Sequence, residues 1–479
     1  MKLRILLILT LLCPAFMVSG QNAVTWDLQK CIDYALENNI QVQQSDLNRV
    51  QNVIALRGAK MARLPSLNAS TNFNITTGRS INPFTNELEV DDIQSQRYNL
   101  NSSVTLFNYG SVNNNIKKAV VDLEISEFDK ENQKNTTILN VITFYTNVLL
   151  NNEQAKNAEF NLNTSQLNLE IVQKQYNLGS VNYQQLLQAK QQLAGDELSL
   201  ITAQNAYEFA KLNLQQAMQL PVQNEFEVVI PEIPDPDVNQ GTDSPVGIYQ
   251  TALTNQPDIL SAEAGVRSAM LGVKISEASL YPTLSFQAGV QTSYSSVAPA
   301  QIASDGAPNV EVQVPIGFIQ STGEQVFTTR QVPAEFDDLT YIRQLDFNQN
   351  TFVGLNLSIP IFNGMQARNG LQNARINQQR AELNATNVRN QLRQTIEQAY
   401  QNVVAAAKSY QSSKNQAEAL RESFKNVEQR KQLNAVTILE YNQTRNDLNR
   451  AETDLIRTKY DYIFKLKILD FYQGKTLSF

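Results

Sequence analysis

Leu64-Pro65-Ser66-Leu67-Asn68-Ala69-Ser70-Thr71-Asn72-Phe73-Asn74-Ile75 decides how this chain folds. Leu67, Ala69, Thr71, Phe73 and Ile75 alternate with Ser66, Asn68, Ser70, Asn72 and Asn74. That period of two gives a strand one apolar and one small polar face. The stretch returns 217 positions on, from Pro65 to Pro282, as Tyr281-Pro282-Thr283-Leu284, and Leu284, Phe286, Ala288, Val290 and Tyr294 keep the period. Each copy is preceded at the same distance by an alanine–leucine pair, Ala35-Leu36 and Ala252-Leu253. Each is followed by a partner stretch: Tyr98, Leu100, Val104 and Leu106 in the first half, Val353, Leu355, Leu357, Ile359 and Ile361 in the second. Strands of about ten residues with this pattern line outer-membrane β-barrels. One strand of a half-buried soluble sheet alternates in the same way.

The connections favour the barrel. Residues 77–97 and 295–350 are polar, turn-rich and unequal in length, and the second carries Pro299, Pro308, Pro315 and Pro333. Long variable loops on one side and compact helices on the other suit strands that cross an outer membrane. Four strands cannot close a barrel, and open edges in lipid leave backbone groups unpaired at several kcal/mol each. Several chains must then share one barrel.

After each pair of strands the period changes from two to seven. Between Gly110 and Gly179 there is neither glycine nor proline, enough for a helix about 100 Å long; the matching stretch from Met365 to Leu433 has only Gly370. Val141, Val148, Ala155, Leu162, Leu169 and Tyr176 mark one seam, and Leu186, Leu193, Leu200, Tyr207 and Leu214 mark the return, with Ala189, Ala203, Ala210 and Ala217 beside them. Tyr441, Leu448, Leu455, Tyr462 and Leu469 repeat it. A heptad seam pairs helices, so each half ends in an antiparallel helical hairpin, turning at Leu178-Gly179-Ser180 and Leu433-Asn434-Ala435. The chain divides into a leader (1–20), a first repeat (21–220; strands near 66–76 and 98–107, hairpin 111–219), a proline-rich linker (221–247) and a second repeat (248–479; strands near 283–294 and 351–362, hairpin 365–472). The linker is expected to lie against the helices as a belt. The fold class is mainly α with a small β part.

Composition narrows function. Met1-Lys2-Leu3-Arg4, the apolar run to Leu12 and Val18-Ser19-Gly20 read as a secretory leader cut after Gly20. Leu12 before Cys13 disfavours a lipid anchor. Cleavage removes two cations and takes the net charge from −7 to −9, a poor balance for binding nucleic acid. Only Cys31 then remains, so no intrachain disulfide forms, and histidine is absent. That removes the commonest general base and metal ligand. No nucleophile turn, phosphate loop or metal-ligand spacing is evident, so an enzyme is not expected.

The order short helix, alanine–leucine, helix, proline, strand hairpin and long helical hairpin, all repeated, resembles the TolC family of outer-membrane efflux proteins. Ala35-Leu36, Pro65, Ala252-Leu253, Pro282 and the two turns with their seams carry the likeness over the mature chain. The resemblance implies a homotrimer in the outer membrane of a Gram-negative bacterium. Twelve strands would form one barrel in lipid, and twelve helical strands would form a periplasmic tunnel narrowing to an iris at the turns. Cargo would arrive from an inner-membrane pump through a periplasmic adaptor, in a tripartite efflux or type I secretion system, with no cofactor. The family places acids six and nine residues after the second turn glycine. Counted from Asn434, these positions are Glu440 and Gln443, so the second departs from the pattern, as does Asn434 itself. At the first turn Gly179 matches, while Gln185 stands where an acid is expected. A threefold ring of Glu440 would bind cations. Gly179, Ser180, Asn434 and Ala435 would contact the adaptor. A lumen rich in Asn, Gln, Ser and carboxylates implies a weak cation preference, and the six methionines without histidine disfavour metal cargo. Tyr145 and Tyr400, with Val148 and Val403, coincide between repeats and read as packing. Phe479 resembles the aromatic end of many barrel proteins, but lies far from the last strand. The alternative is an exported coiled-coil scaffold without a pore, which accounts for the heptads and not for the alternating strands.

Overall fold

The computed structural model describes residues 25–81, 88–90, 92–221, 226–231, 234–236, 244–304, 306–433 and 435–475. The expected leader, Asn434 and Phe479 lie outside them. The chain forms two compact units, each drawing segments from both halves of the sequence: 54–120 with 268–378, and the remainder.

The first of these holds a four-stranded sheet. Its strands are β1 (Ser66–Thr76), β2 (Ile93–Phe107), β3 (Thr283–Ser295) and β4 (Asn350–Ser358). The order is β4-β3-β2-β1 with every neighbour antiparallel, and β1 and β4 form the edges. Register brings the alternation of all four strands onto the same side. Ala69, Leu100, Val290 and Thr351 form one row and Leu67, Ser102, Ala288 and Val353 the next; the interleaved rows are Asn68, Asn101, Gly289, Phe352 and Ser70, Asn99, Gln291, Asn350. A slip of one residue at any strand would mix the faces. The apolar side is not a core: Leu67 is 70% and Val353 68% exposed.

Two details differ from the sequence reading. Pairing passes from Thr105 to Phe107, so Phe107 rather than Leu106 stands opposite Leu284, as an extra residue in a bulge does. Strand β4 stops at Ser358, before Ile359 and Ile361, because Pro360 has no amide to continue a ladder. The segment read as turn-rich also contains regular structure. Asn309–Phe318 pairs with Gln325–Pro333, Gln301–Ala303 with Phe336–Asp338, and Tyr341–Phe347 is helical.

Helices dominate the other unit. The first four helices of the chain are α1 (Leu28–Asn38), α2 (Ile40–Met61), α3 (Ser111–Asn177) and α4 (Tyr183–Met218). The second set is α5 (Pro245–Asn255), α6 (Pro257–Ala278), α7 (the Tyr341–Phe347 helix of the sheet unit), α8 (Gln366–Gln432) and α9 (Ile438–Tyr472). Asn39 breaks α1 from α2 and its Oδ1 accepts from the Gln41 amide. At the matching break Pro257 opens α6, where a missing amide costs nothing.

Two cores repeat each other. Val141, Tyr145, Val148 and Leu214 close over Ala35 in one, and Ile396, Val403, Tyr462 and Leu469 over Ala252 in the other. Both alanines are 0% exposed; a larger side chain would push the short helix off its neighbours, which is why this motif recurs. The seam of α8 runs Ile396, Val403, Tyr410, Ala417, with seven-residue spacing. In the outgoing arm of the first hairpin the seam fades: Val141 and Val148 are buried, Ala155, Leu162 and Leu169 half-buried, and Tyr176 exposed.

The described part of the linker lies against the helices. Glu227–Val228 pairs in parallel with Thr25–Trp26, and Tyr145 Oη donates to the Val229 carbonyl at 2.6 Å. Asp235 pairs with Lys414 at 3.1 Å and Lys459 at 3.0 Å. These two ammonium groups hold its carboxyl at about 2.

Candidate functional site

The two turns are built alike. At the first, Gly179 adopts φ +73°, the Ser180 amide donates to Gln175 O and the Gly179 amide to Tyr176 O. This pair of bonds satisfies the last carbonyls of α3. At the second, the Ala435 amide donates to Arg430 O, the equivalent bond; Asn434 lies outside the described residues.

The return helices open in matching ways. Asn182 Oδ1 accepts from the Gln185 amide while Gln185 Oε1 accepts from the Asn182 amide, a reciprocal cap. At α9 Thr437 Oγ1 accepts from the Glu440 amide. Gln185 and Glu440 thus occupy the same third helical position. Gln185 spends its side-chain oxygen on the cap, a role that a carboxylate would fill equally well. The carboxylate of Glu440 accepts instead from Arg430 Nη1 at 3.1 Å, and Arg430 Nη2 donates to Ala435 O at 3.2 Å. Gln443 is exposed one turn further along α9.

Arg445, Asp196, Lys431 and Asn168, which sequence reasoning passed over, join the two hairpins. Arg445 of α9 is buried, its side chain 3% exposed, with Nη2 donating to Asn161 O at 2.7 Å and to Asp196 Oδ2 at 3.3 Å. Its Nη1 is buried without a hydrogen-bond partner. Asp196, 10% exposed, also accepts from Gln192 Nε2 at 3.0 Å. Lys431 lies over the ring of buried Tyr441, 3.5 Å from its centroid, and donates to Asn168 Oδ1. Burial, then Arg445, depresses its basicity; burial raises the Tyr441 phenol. The clue to Asp196 was in the sequence: it interrupts the column Ala189, Ala203, Ala210, Ala217.

A second candidate surface is the sheet. Aromatic residues stand at both ends of the sheet. Tyr98, Tyr294 and Tyr341 cluster at one: Tyr341 Oη donates to Gln96 Oε1 and shares a 2.8 Å hydrogen bond with Tyr98 Oη, and the rings of Tyr294 and Tyr341 lie 4.7 Å apart. At the other, Tyr109 stacks on Tyr281 at 3.5 Å. The polar face carries Asn, Gln and Ser as expected, but the four strands contain no carboxylate; their one charged residue is Arg97.

Among the described residues no group of His, Cys, Asp and Glu is placed to hold a metal, and no helix is long and apolar enough to cross a membrane. Burial pushes the Cys31 thiol up to about 12, so it is unreactive as placed.

Solved structures share this fold. The CusC transmembrane channel aligns at TM-score 0.69 with 19% identity, covering 97% of this chain and 96% of that one. The Campylobacter jejuni CmeC outer membrane channel aligns at 0.69 with 17% identity, covering 93% and 85%. The Vibrio cholerae outer membrane protein VceC aligns at 0.67 with 15% identity, covering 94% and 97%. No curated protein sequence matches the chain. Residues 31–218 and 343–474 match the outer membrane efflux protein family, and they include both helical hairpins, both turns and the buried pair that joins them. The chain therefore belongs to the outer membrane efflux protein family.

Proposed function

We propose that this protein is the outer-membrane exit duct of a tripartite efflux or type I secretion system. Three copies pool their sheets into a twelve-stranded barrel through the outer membrane of a Gram-negative bacterium, and their helical hairpins form a periplasmic tunnel. The duct is passive, and a periplasmic adaptor and an inner-membrane pump deliver the cargo. One observation carries this reading: an in-register apolar face, exposed, on a sheet with tyrosines at both ends and two edges unpaired among the described residues. Soluble proteins rarely expose so large an apolar patch, and interfacial tyrosines mark the two membrane–water boundaries of barrels. Edges in lipid require partners, and identical copies supply them most simply.

In this assembly Glu440 and Gln443 line the periplasmic constriction, with each Glu440 offset by Arg430 of its own turn. Three copies then give a weakly cation-preferring ring. Gly179, Ser180, Asn434 and Ala435 form the surface that meets the adaptor. No observation favours the pore-free scaffold, which leaves the exposed apolar face unexplained.

The test is extraction and conductance. The protein should require detergent to leave the membrane fraction and should form channels in planar bilayers, with Glu440→Gln shifting the reversal potential toward anions. Full solubility in buffer, with no conductance, would overturn the reading.

A further inference from the structure

Arg97 is the one charged side chain in the four strands, out of 48 residues. Its register places it on the polar face, opposite Asn72 of β1 and Ser293 of β3. It lies four residues from the start of β2, at the end of the sheet where the long 295–350 segment departs, and its side chain is exposed. No carboxylate of the described residues forms an ion pair with it. In the neighbouring segment Asp337 and Asp346 pair with Arg343, and Asp338 accepts from Gln301.

We infer that Arg97 forms an anion-binding ring inside the outer mouth of the duct, which takes carboxylate- and phosphate-bearing solutes. This rests on the trimeric barrel proposed above. Threefold symmetry sets three guanidinium groups at one level. Twelve strands about 4.8 Å apart and tilted about 40° make a barrel about 24 Å across. Arginines reaching about 6 Å inward bring their heads to about 10 Å from one another, close to one Debye length in physiological salt. Their fields overlap, so an anion bound among them relieves mutual repulsion, as rings of Arg or Lys do in anion-selective pores. The surrounding rows, Asn72, Ser293, Asn99 and Gln291, add neutral hydrogen-bonding groups and no competing carboxylate. Lipid phosphates are excluded as the ligand because Arg97 and the apolar residues occupy opposite faces.

The experiment uses the full chain in planar bilayers, with sodium tripolyphosphate added to the side of the long loops. Wild type should show current block. Arg97→Gln should raise the half-blocking concentration at least tenfold, and Arg97→Lys should stay within about threefold of wild type. Native mass on the same preparations reports the trimer independently. Trimeric, conducting Arg97→Gln channels blocked like wild type would overturn the ring and leave the duct reading standing. A monomeric, non-conducting wild type would overturn both.

Discussion

Arg445 and Asp196 are a buried pair with poor geometry, which makes an unusual order of stabilities. Removing one member of such a pair costs about 3–5 kcal/mol, because the other stays buried and unpaired. Asp196→Ala leaves Arg445 with one carbonyl, Asn161 O, and with Nη1 already lacking a partner; its cost belongs at the upper end, about 4–5 kcal/mol. Arg445→Met leaves Asp196 with Gln192 and slight solvent contact, so about 3 kcal/mol is expected. The double variant Asp196→Leu/Arg445→Met removes both charges and the orphaned nitrogen, and should lie within about 1–2 kcal/mol of wild type. The assay is thermal unfolding of detergent-solubilised protein followed by far-ultraviolet circular dichroism. Midpoints should fall in the order wild type and double variant together, then Arg445→Met, then Asp196→Ala. A double variant that melts below both singles, or an Asp196→Ala that melts with wild type, would refute this account of how the hairpins are joined.

Further outcomes follow from single positions. A Cβ on Gly289 would meet Asn101 Oδ1 at 2.6 Å and the Phe352 ring at 2.7 Å. Gly289→Val should therefore cost about 1–3 kcal/mol through overpacking, seen as a lower temperature for loss of folded mobility on gels. Asp235, held at about 2 against an ordinary 3.8, contributes stability above pH 4 that disappears as pH falls through 2. Asp235→Asn should accordingly melt below wild type at pH 6 and match it at pH 2; a pH-independent gap would contradict the ion-pair assignment. Cys31, with its pKa at about 12, should resist a thiol reagent at pH 8 until the protein unfolds. Reaction at the rate of a free thiol would show that the core around Ala35 opens.

Much of the fold was legible because two periods dominate the chain. The two-residue alternation from Leu67 to Ile75 and the seven-residue beat from Leu186 to Leu214 each report which side of one element is apolar. What they do not report is register, which depends on pairing partners far away. The passage from Thr105 to Phe107 was invisible for that reason. Val310, Val312, Val314, Ile316 and Phe318 alternate too, yet Pro308, Pro315 and Pro333 hid a hairpin, since prolines at strand ends and bulges are compatible with pairing. At the turns, the position of Glu440 was countable from the sequence, but its partner was not. Arg430 lies in a different helix and meets it only once the turn has formed. Gln185 carried an ambiguous signal for the same reason, since a capping residue and a lumen residue occupy one sequence position. Asp196 and Arg97 were the missed clues, each a single charge breaking a uniform pattern.

The central claim is that the unpaired edges of one sheet meet those of identical neighbours. Oxidative cross-linking tests it directly, with one cysteine placed on β1 at Asn68, Ser70 or Asn72 and another on β4 at Asn350, Gly354 or Asn356, in a Cys31→Ser background. At least one combination should yield covalently closed trimers from native membranes, with each single-cysteine parent remaining monomeric on denaturing gels. Failure of every combination, together with a native mass of one chain, would contradict the account.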